Sequence, residues 1–338
     1  MSTDKEKTVE NISDLARLAG VSKSTASRAL NNNPRISDKV RKKIQKIARD
    51  KGFVVHHGAR SLSLGMTNSI GLIIPDGKGS RQIMSDPFFA EMLKGINSAA
   101  SVHNYDLLII QPDGKSPRQI INYIKSKRVD ALIVVGCPDF TLPIFSCADS
   151  DAPIVYWGEH FPGFCSVDCD NYSGGFIAAE YLLSAKRKKI VFLGGNEELP
   201  EIKKRYDGYC AAHEKYSFKP DKRLSLFGDF SAESGYDNMK KILTQHSDID
   251  AVFACSDTIA FGAVKCLSDM KYDVPGDVLV IGFDDISISA HSVPPLSTIR
   301  QDIALSGKSM VDSIIDFLKT GTVTHKIIPV SLVLRSSA

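Results

Sequence analysis

No run of about 18 consecutive apolar residues occurs in the 338-residue chain, which excludes a membrane-spanning helix. The opening MSTDKEKTVENIS has no apolar segment of the kind an export signal needs, so a cytoplasmic location is expected. The seven cysteines are odd in number and scattered between Cys137 and Cys266, and they read as reduced thiols rather than a disulfide framework. Cys165 and Cys169 form one C-x₃-C without a second pair, which is too little for structural zinc. H-E-x-x-H and G-x-S-x-G are absent, and DGKGS (Asp76–Ser80) lacks the spacing of a phosphate-binding loop. No catalytic residue, metal or cofactor is therefore expected. What remains is an ordinary globular composition, 43% hydrophobic and 24% charged, which argues against collagen-like, disordered and coiled-coil classes.

The net charge of +3 conceals an asymmetry. Residues 1–62 hold 14 Lys and Arg against 6 Asp and Glu, a local +8, and the remaining 276 residues carry −5. A small basic head on a mildly acidic body suggests a nucleic-acid-binding module joined to something else. The head is helical by pattern. Ile12, Leu15, Ala16 and Ala19 share one face, Gly20 breaks the run, and Ser22 is placed to cap a second helix, Lys23–Leu30. Asn31–Arg35 reads as a loop, Ser37 caps a third helix with Val40, Ile44, Ile47 and Ala48 on its inner face, and Gly52 closes it. Two helices joined by a tight glycine turn make a helix-turn-helix pattern. Its second helix would expose Lys23, Ser24, Ser27 and Arg28 while Ala26, Ala29 and Leu30 pack inward. Arg and Lys can donate to guanine edges, and hydroxyls at a helix start suit phosphates.

From Ser69 the rhythm changes. IGLIIP (Ile70–Pro75), YDLLIIQ (Tyr105–Gln111), ALIVVG (Ala131–Gly136), PIVYWG (Pro153–Gly158), KIVFLGG (Lys189–Gly195), AVFACSD (Ala251–Asp257) and VLVIGFDD (Val278–Asp285) are near-continuous apolar runs. Amphipathic stretches separate them, among them Phe89–Ala100, Gln119–Lys127, Gly174–Ser184 and Ala260–Met270. Strands of this kind are buried on both faces, so a parallel sheet covered by helices is expected. Some 270 residues is too much for one such sheet, and two α/β subdomains are expected, parting near Asp170. Ligands of doubly wound sheets bind beyond the carboxyl ends of the strands. Asp257 and Asp284 stand at such ends, and Arg205 should begin a helix after KIVFLGG; these are charge-assisted partners for hydroxyl groups. Phe88, Phe89, Trp157 and Phe230 are candidates to cover an apolar ligand face. A core role for Trp157, helix anchoring for Phe88 or Phe89 and helix capping for Asp257 stand beside the ligand reading.

The stretch ISDLARLAGVSKSTASRALNN closely resembles the signature of the LacI/GalR family of bacterial transcription repressors. Similar segments continue through DPFFAEMLKGI, VDCDNYSGG, GDFSAESGY, AVFACSDTIAFGA and VLVIGFDD. The resemblance implies an α/β protein with a three-helix helix-turn-helix head (1–55), a hinge helix (56–67) and a body like the periplasmic sugar-binding proteins (68–338). That body would comprise two doubly wound parallel-sheet subdomains, about 68–170 plus 300–330 and about 171–299. It further implies that Lys23, Ser24 and Arg28 read bases, and that Ser22, Ser27 and Asn31 hold phosphates. Arg60 and Leu62 of the hinge segment ARSL would enter the minor groove, where a leucine wedge unstacks one base step. Arg205, Asp284, Phe230 and Phe88 or Phe89 correspond to effector contacts, and Asp170 and Asn171 to a pair near the cleft.

Three departures stand out. Val55 replaces a common proline, Gly58 lies inside the hinge segment, and Gly158 stands where some sugar-responsive members have an aspartate, with Glu159 following. The glycine predicts a hinge that folds only on DNA. The loop Asp76–Asp86 is also longer than usual. The expected partners are a pseudo-palindromic double-stranded operator, a small-molecule effector of sugar type, and a second copy in a homodimer, with no membrane. The alternatives are a purine-like corepressor, or a cytoplasmic sugar-binding protein or enzyme without a DNA role.

Overall fold

The computed structural model describes Val9, 11–53, 65–74, 86–111, 116–136, 144, 146–149, 151–158 and 160–338. The chain divides into two compact units, Met1–Thr67 and Asn68–Ala338.

The first unit holds three helices, α1 (Ile12–Ala19), α2 (Lys23–Leu30) and α3 (Asp38–Asp50). Their ends are fixed by local chemistry. The Asn11 side chain accepts from the Ser13 and Asp14 amides at 2.9 and 3.1 Å, and Ser22 Oγ accepts from the Thr25 amide at 3.1 Å. Gly20 takes the left-handed conformation (φ 71°) that lets α2 follow α1 within two residues. Ser37 precedes α3 as expected but makes no capping bond with its side chain. Gly52 follows the last helical turn at φ 63°. Leu15, Ala19, Ala29, Ile44 and Ala48 form the centre, with Val9 above them. Lys43 Nζ donates to the Ala19 carbonyl at 2.9 Å, satisfying an acceptor left open where α1 ends.

Along the second unit run β1 (Ser69–Ile73), α4 (Pro87–Val102), β2 (Asp106–Ile110), α5 (Pro117–Lys125), β3 (Ala131–Val135), β4 (Ile154–Trp157), β5 (Cys165–Cys169) and α6 (Asn171–Ser184). Then come β6 (Ile190–Gly194), α7 (Pro200–Lys215), β7 (Ser225–Phe227), α8 (Ala232–Gln245), β8 (Ala251–Ala254), α9 (Asp257–Asp269), β9 (Leu279–Asp284), β10 (Ser297–Gln301), α10 (Ile303–Thr320), β11 (His325–Ile328) and β12 (Val330–Val333). They form two six-stranded sheets, ordered β11-β5-β4-β3-β1-β2 and β12-β10-β9-β8-β6-β7. Every pairing is parallel except β10 with β12. The expected apolar runs are the inner strands of both sheets. Five strands that the apolar pattern does not single out are β5, β7, β10, β11 and β12. The chain passes between sheets three times, between β5 and α6, between β10 and α10, and between β11 and β12.

Helices α6 and α7 meet through glycine. A Cβ on Gly175 would lie 2.0 Å from the Arg205 carbonyl oxygen, and one on Gly208 would lie 2.1 Å from that of Tyr172. Both obstacles are backbone, so no side chain can yield. Gly208→Ala is expected to lower the stability of the second unit by about 1–3 kcal/mol, read as a drop in the urea midpoint without a change in slope. An unchanged midpoint would mean the helices can part at no cost.

Candidate DNA-reading helix and effector cleft

On α2, Ala26 and Ala29 are buried, whereas Ser22, Lys23, Ser24 and Arg28 are exposed and Ser27 is half-buried. The inward and outward faces are those expected. Ser22 Oγ lies 2.9 Å from the hydroxyls of both Ser24 and Thr25, so three hydroxyls cluster at the helix start. That start carries the positive end of the helix dipole and free backbone donors, which suit a phosphate. Asn31 terminates the helix, half-buried. Arg60, Leu62 and the expected hinge helix, together with Glu159 and all of the loop 76–86 except Asp86, lie outside the described residues.

In the second unit the predicted polar residues converge at the carboxyl ends of the strands. Arg205 is buried, and it lies six residues into α7 rather than at its start, because Pro200 opens that helix earlier. Its Nε donates to Asn171 Oδ1 at 2.8 Å, and Nη1 donates to the Cys255 carbonyl and lies 4.0 Å from Asp284 Oδ1. The guanidinium covers the Phe283 ring at 3.6 Å. Asn171 Nδ2 in turn donates to Asp168 Oδ1 at 3.0 Å, and Lys204 pairs with Asp168 Oδ2 at 3.1 Å. Asp170 caps α6, accepting from the Ser173 amide at 3.0 Å.

Asp284 ends β9 with φ 117°, and Asp285 follows at φ 56°, two consecutive non-glycine residues in left-handed space. Strain of that sort persists only where the surroundings enforce it. Asp285 is held by Arg300 and Arg335, each at 2.6 Å. Asp284 accepts from Gln301 Nε2. Burial, with the charges of Asp257 and Asp86, holds Asp284 well above the usual carboxylate range although Arg205 opposes the shift. Gln301 is 3% exposed, and its Oε1 has no hydrogen-bond partner.

Asp257 does not reach the cleft as an open group. It is 0% exposed and accepts from the Ile286 amide (3.0 Å), Ser289 Oγ (2.6 Å) and Thr298 Oγ1 (2.5 Å). Nor is it the helix cap, which is Ser256. It anchors the segment after β9, and no open carboxylate oxygen is left for a ligand. Gly282 makes room for it, since a Cβ there would lie 2.3 Å from Asp257 Oδ1.

The aromatic candidates fall in two places. Phe88 meets Phe89 edge to face (5.2 Å between centroids) and Trp157 at 6.3 Å. Trp157 is half-buried and packs against both hydrophobic cores, as does Phe261, which sequence reasoning missed. Phe230 stands against Gly195, where a Cβ would come within 2.8 Å of its ring. Asp168, Lys204, Phe283 and Gln301 were also missed. Asp168, two residues before the Asp170–Asn171 pair, carried the only signal. Among the described residues no helix is long and apolar enough to cross a membrane, and no group of three or more His, Cys, Asp and Glu could hold a metal.

Residues 11–55 match the model of the bacterial regulatory proteins, lacI family, and residues 179–338 that of a periplasmic binding protein-like domain. The HTH-type transcriptional regulator MalR of Clostridium butyricum is 30% identical over 339 residues, spanning 97% of this chain and 98% of its own. The chain belongs to the LacI family. The ribose operon repressor of Haemophilus influenzae is also 30% identical, over 96% of this chain and 97% of its own. Among solved structures, a complex of the transcriptional regulator CelR with cellobiose superposes with a TM-score of 0.74 at 25% identity, covering 98% of this chain and 100% of that one. This LacI-family body thus carries its buried guanidinium where α7 meets the ends of β8 and β9.

Burial pushes the Asp257 carboxyl up to about 7, against its three hydrogen bonds. An unfolded aspartate titrates near 3.9. The folded state therefore holds a proton that the unfolded state has lost, and stability from this group declines as pH rises from about 4 to about 7. Relative to Asp257→Asn, which stays neutral, the wild-type melting temperature should fall across that window and run parallel above it. A constant difference from pH 4 to 8 would show that the carboxylate is ionised throughout.

Proposed function

We propose that the protein is an effector-responsive, DNA-binding transcriptional repressor of carbohydrate-utilisation genes, released from its operator by a sugar. The observation that carries the DNA side is the exposed Lys23, Ser24 and Arg28 face of a capped second helix whose other face is sealed by Ala26 and Ala29. In this reading Lys23, Ser24 and Arg28 contact base edges, while Ser22, Ser27 and Asn31 position the helix on phosphates. Arg60 and Leu62 enter the minor groove, and a homodimer sets two heads on two half-sites of a pseudo-palindromic operator. The protein then acts in the cytoplasm, where the DNA is. No catalytic role is assigned, and the relatives named above are transcription regulators.

The effector side of the proposal rests on the cleft of the body. Arg205 and Asp284 offer charge-assisted hydrogen bonds to vicinal hydroxyls, and Phe88, Phe89, Trp157 and Phe230 offer apolar faces for a sugar ring. The cellobiose held by the CelR structure and the ribose operon governed by the Haemophilus relative point to the same ligand class. A ligand shifts the repressor only through its different affinity for two arrangements of the body.

Binding to a fragment of the gene's own promoter should weaken steeply with salt, as phosphate contacts release counterions. Arg28→Ala should reduce that affinity by about tenfold or more, the worth of a bidentate base contact, and leave effector affinity unchanged. Electrophoretic mobility shift and calorimetric titration read the two effects separately. Loss of effector binding with operator binding intact would refute the assignment of roles.

A further inference from the structure

The cleft is short of positive charge. The helix α4 brings Asp86 and Glu91 to face the segment that follows β9: Glu91 Oε1 accepts from the Ser287 amide at 2.7 Å, and Ile286 is buried in the first core. Around the same strand ends stand Asp168, Glu201 and Asp284, against the cations Lys204 and Arg205. Lys204 is paired with Asp168, Arg205 with Asp284, and Glu91 with a backbone amide. Asp86 has no ionic partner among the described residues. One of its oxygens accepts from the Phe88 amide at 3.0 Å, and burial raises its carboxyl above the ordinary range. Its charge is felt at Asp284. A second, separate sign is the buried Gln301 Oε1, an acceptor with no donor, on the same amide that binds Asp284. A buried acceptor left unmet is costly, and a half-buried carboxylate without a cation is more so. The pocket is thus supplied with acceptors and wants donors, one of them charged.

We propose that the effector is an amino sugar, its ammonium group held between Asp86 and Asp284 and a neighbouring hydroxyl donating to Gln301 Oε1. This rests on the carbohydrate reading above and narrows it. An ammonium meets two carboxylates, the second of which Arg205 alone does not neutralise at 4.0 Å. A neutral hexose would satisfy Gln301 but leave the Asp86 charge uncompensated.

The test is calorimetric titration of the full chain at pH 7 with matched pairs, D-glucosamine against D-glucose and D-galactosamine against D-galactose. At least one amine is expected to bind about tenfold tighter than its neutral counterpart, and its N-acetyl derivative to bind no better than the neutral sugar. Asp86→Asn keeps a good helix cap and so keeps the fold, as its unliganded melting temperature should record. It should bring the amine down to the level of the neutral sugar. Neutral sugars binding as tightly as amines, or an amine preference that survives Asp86→Asn, would overturn the inference while leaving the carbohydrate reading in place. Failure of every sugar, charged and neutral, would remove both.

Discussion

A guanidinium cannot be buried alone. Removing one from water costs several kcal/mol unless acceptors surround it, and Arg205 has to collect those acceptors from elements far apart in the chain. Asn171 comes from the start of α6, the Cys255 carbonyl from the end of β8, Asp284 from the end of β9, and the Phe283 ring lies beneath. The backbone of α7 must also come close enough to deliver the side chain, which is what Gly175 and Gly208 permit. Four strand and helix ends are therefore held at one point by the demands of one charge. Asn171 extends the same network to Asp168 on β5, so the constraint spans both sheets of the body.

The three aspartates at these strand ends do different work, and their surroundings explain why. Asp257 is sealed among Ile286, Ser289 and Thr298 and serves to hold a loop. Asp285 is neutralised by two arginines and holds the turn in left-handed space. Only Asp284, between them, keeps its carboxylate at the guanidinium and the Gln301 amide. The two structural aspartates make the strained turn tenable, and the turn presents the third.

Local chemistry was legible in the sequence and tertiary chemistry was not. The head could be read to within a residue, because Asn11, Ser22 and Gly20 act on their own helices through bonds two to four residues long. The inner strands were legible because burial on both faces leaves a continuous apolar run. β5 reads CSVDC, β7 is three residues long, and β11 and β12 are edge or near-edge strands with one polar face, so their apolar signal is weak. Arg205 and Asp284 were found at their strand and helix ends. Asp257 was placed with them because its sequence position is equivalent. Only the packing of residues 286–298 over it decides that it is sealed. Gln301 was invisible for the opposite reason: it ends STIRQ, a strand whose polar residues give no hint that the last one is buried.

The residues that form the cleft are also those at which the chain crosses between the two sheets. Asp168 and Asn171 flank the first crossing, and Gln301 sits at the second, beside Asp302, which caps α10. Any rotation of one lobe on the other must turn about these segments, since among the described residues the remaining crossing is the short link from β11 to β12. A molecule bound among Asp284, Gln301 and Arg205 therefore touches the pivots themselves, not a surface remote from them. Trp157 and Phe261, packed on both cores at once, must repack when the angle changes. Close-packed side chains of that kind favour a few discrete arrangements over a continuum. Ligand affinity and lobe angle are then coupled through the same side chains, which is the condition for a small molecule to select one state of the body over another.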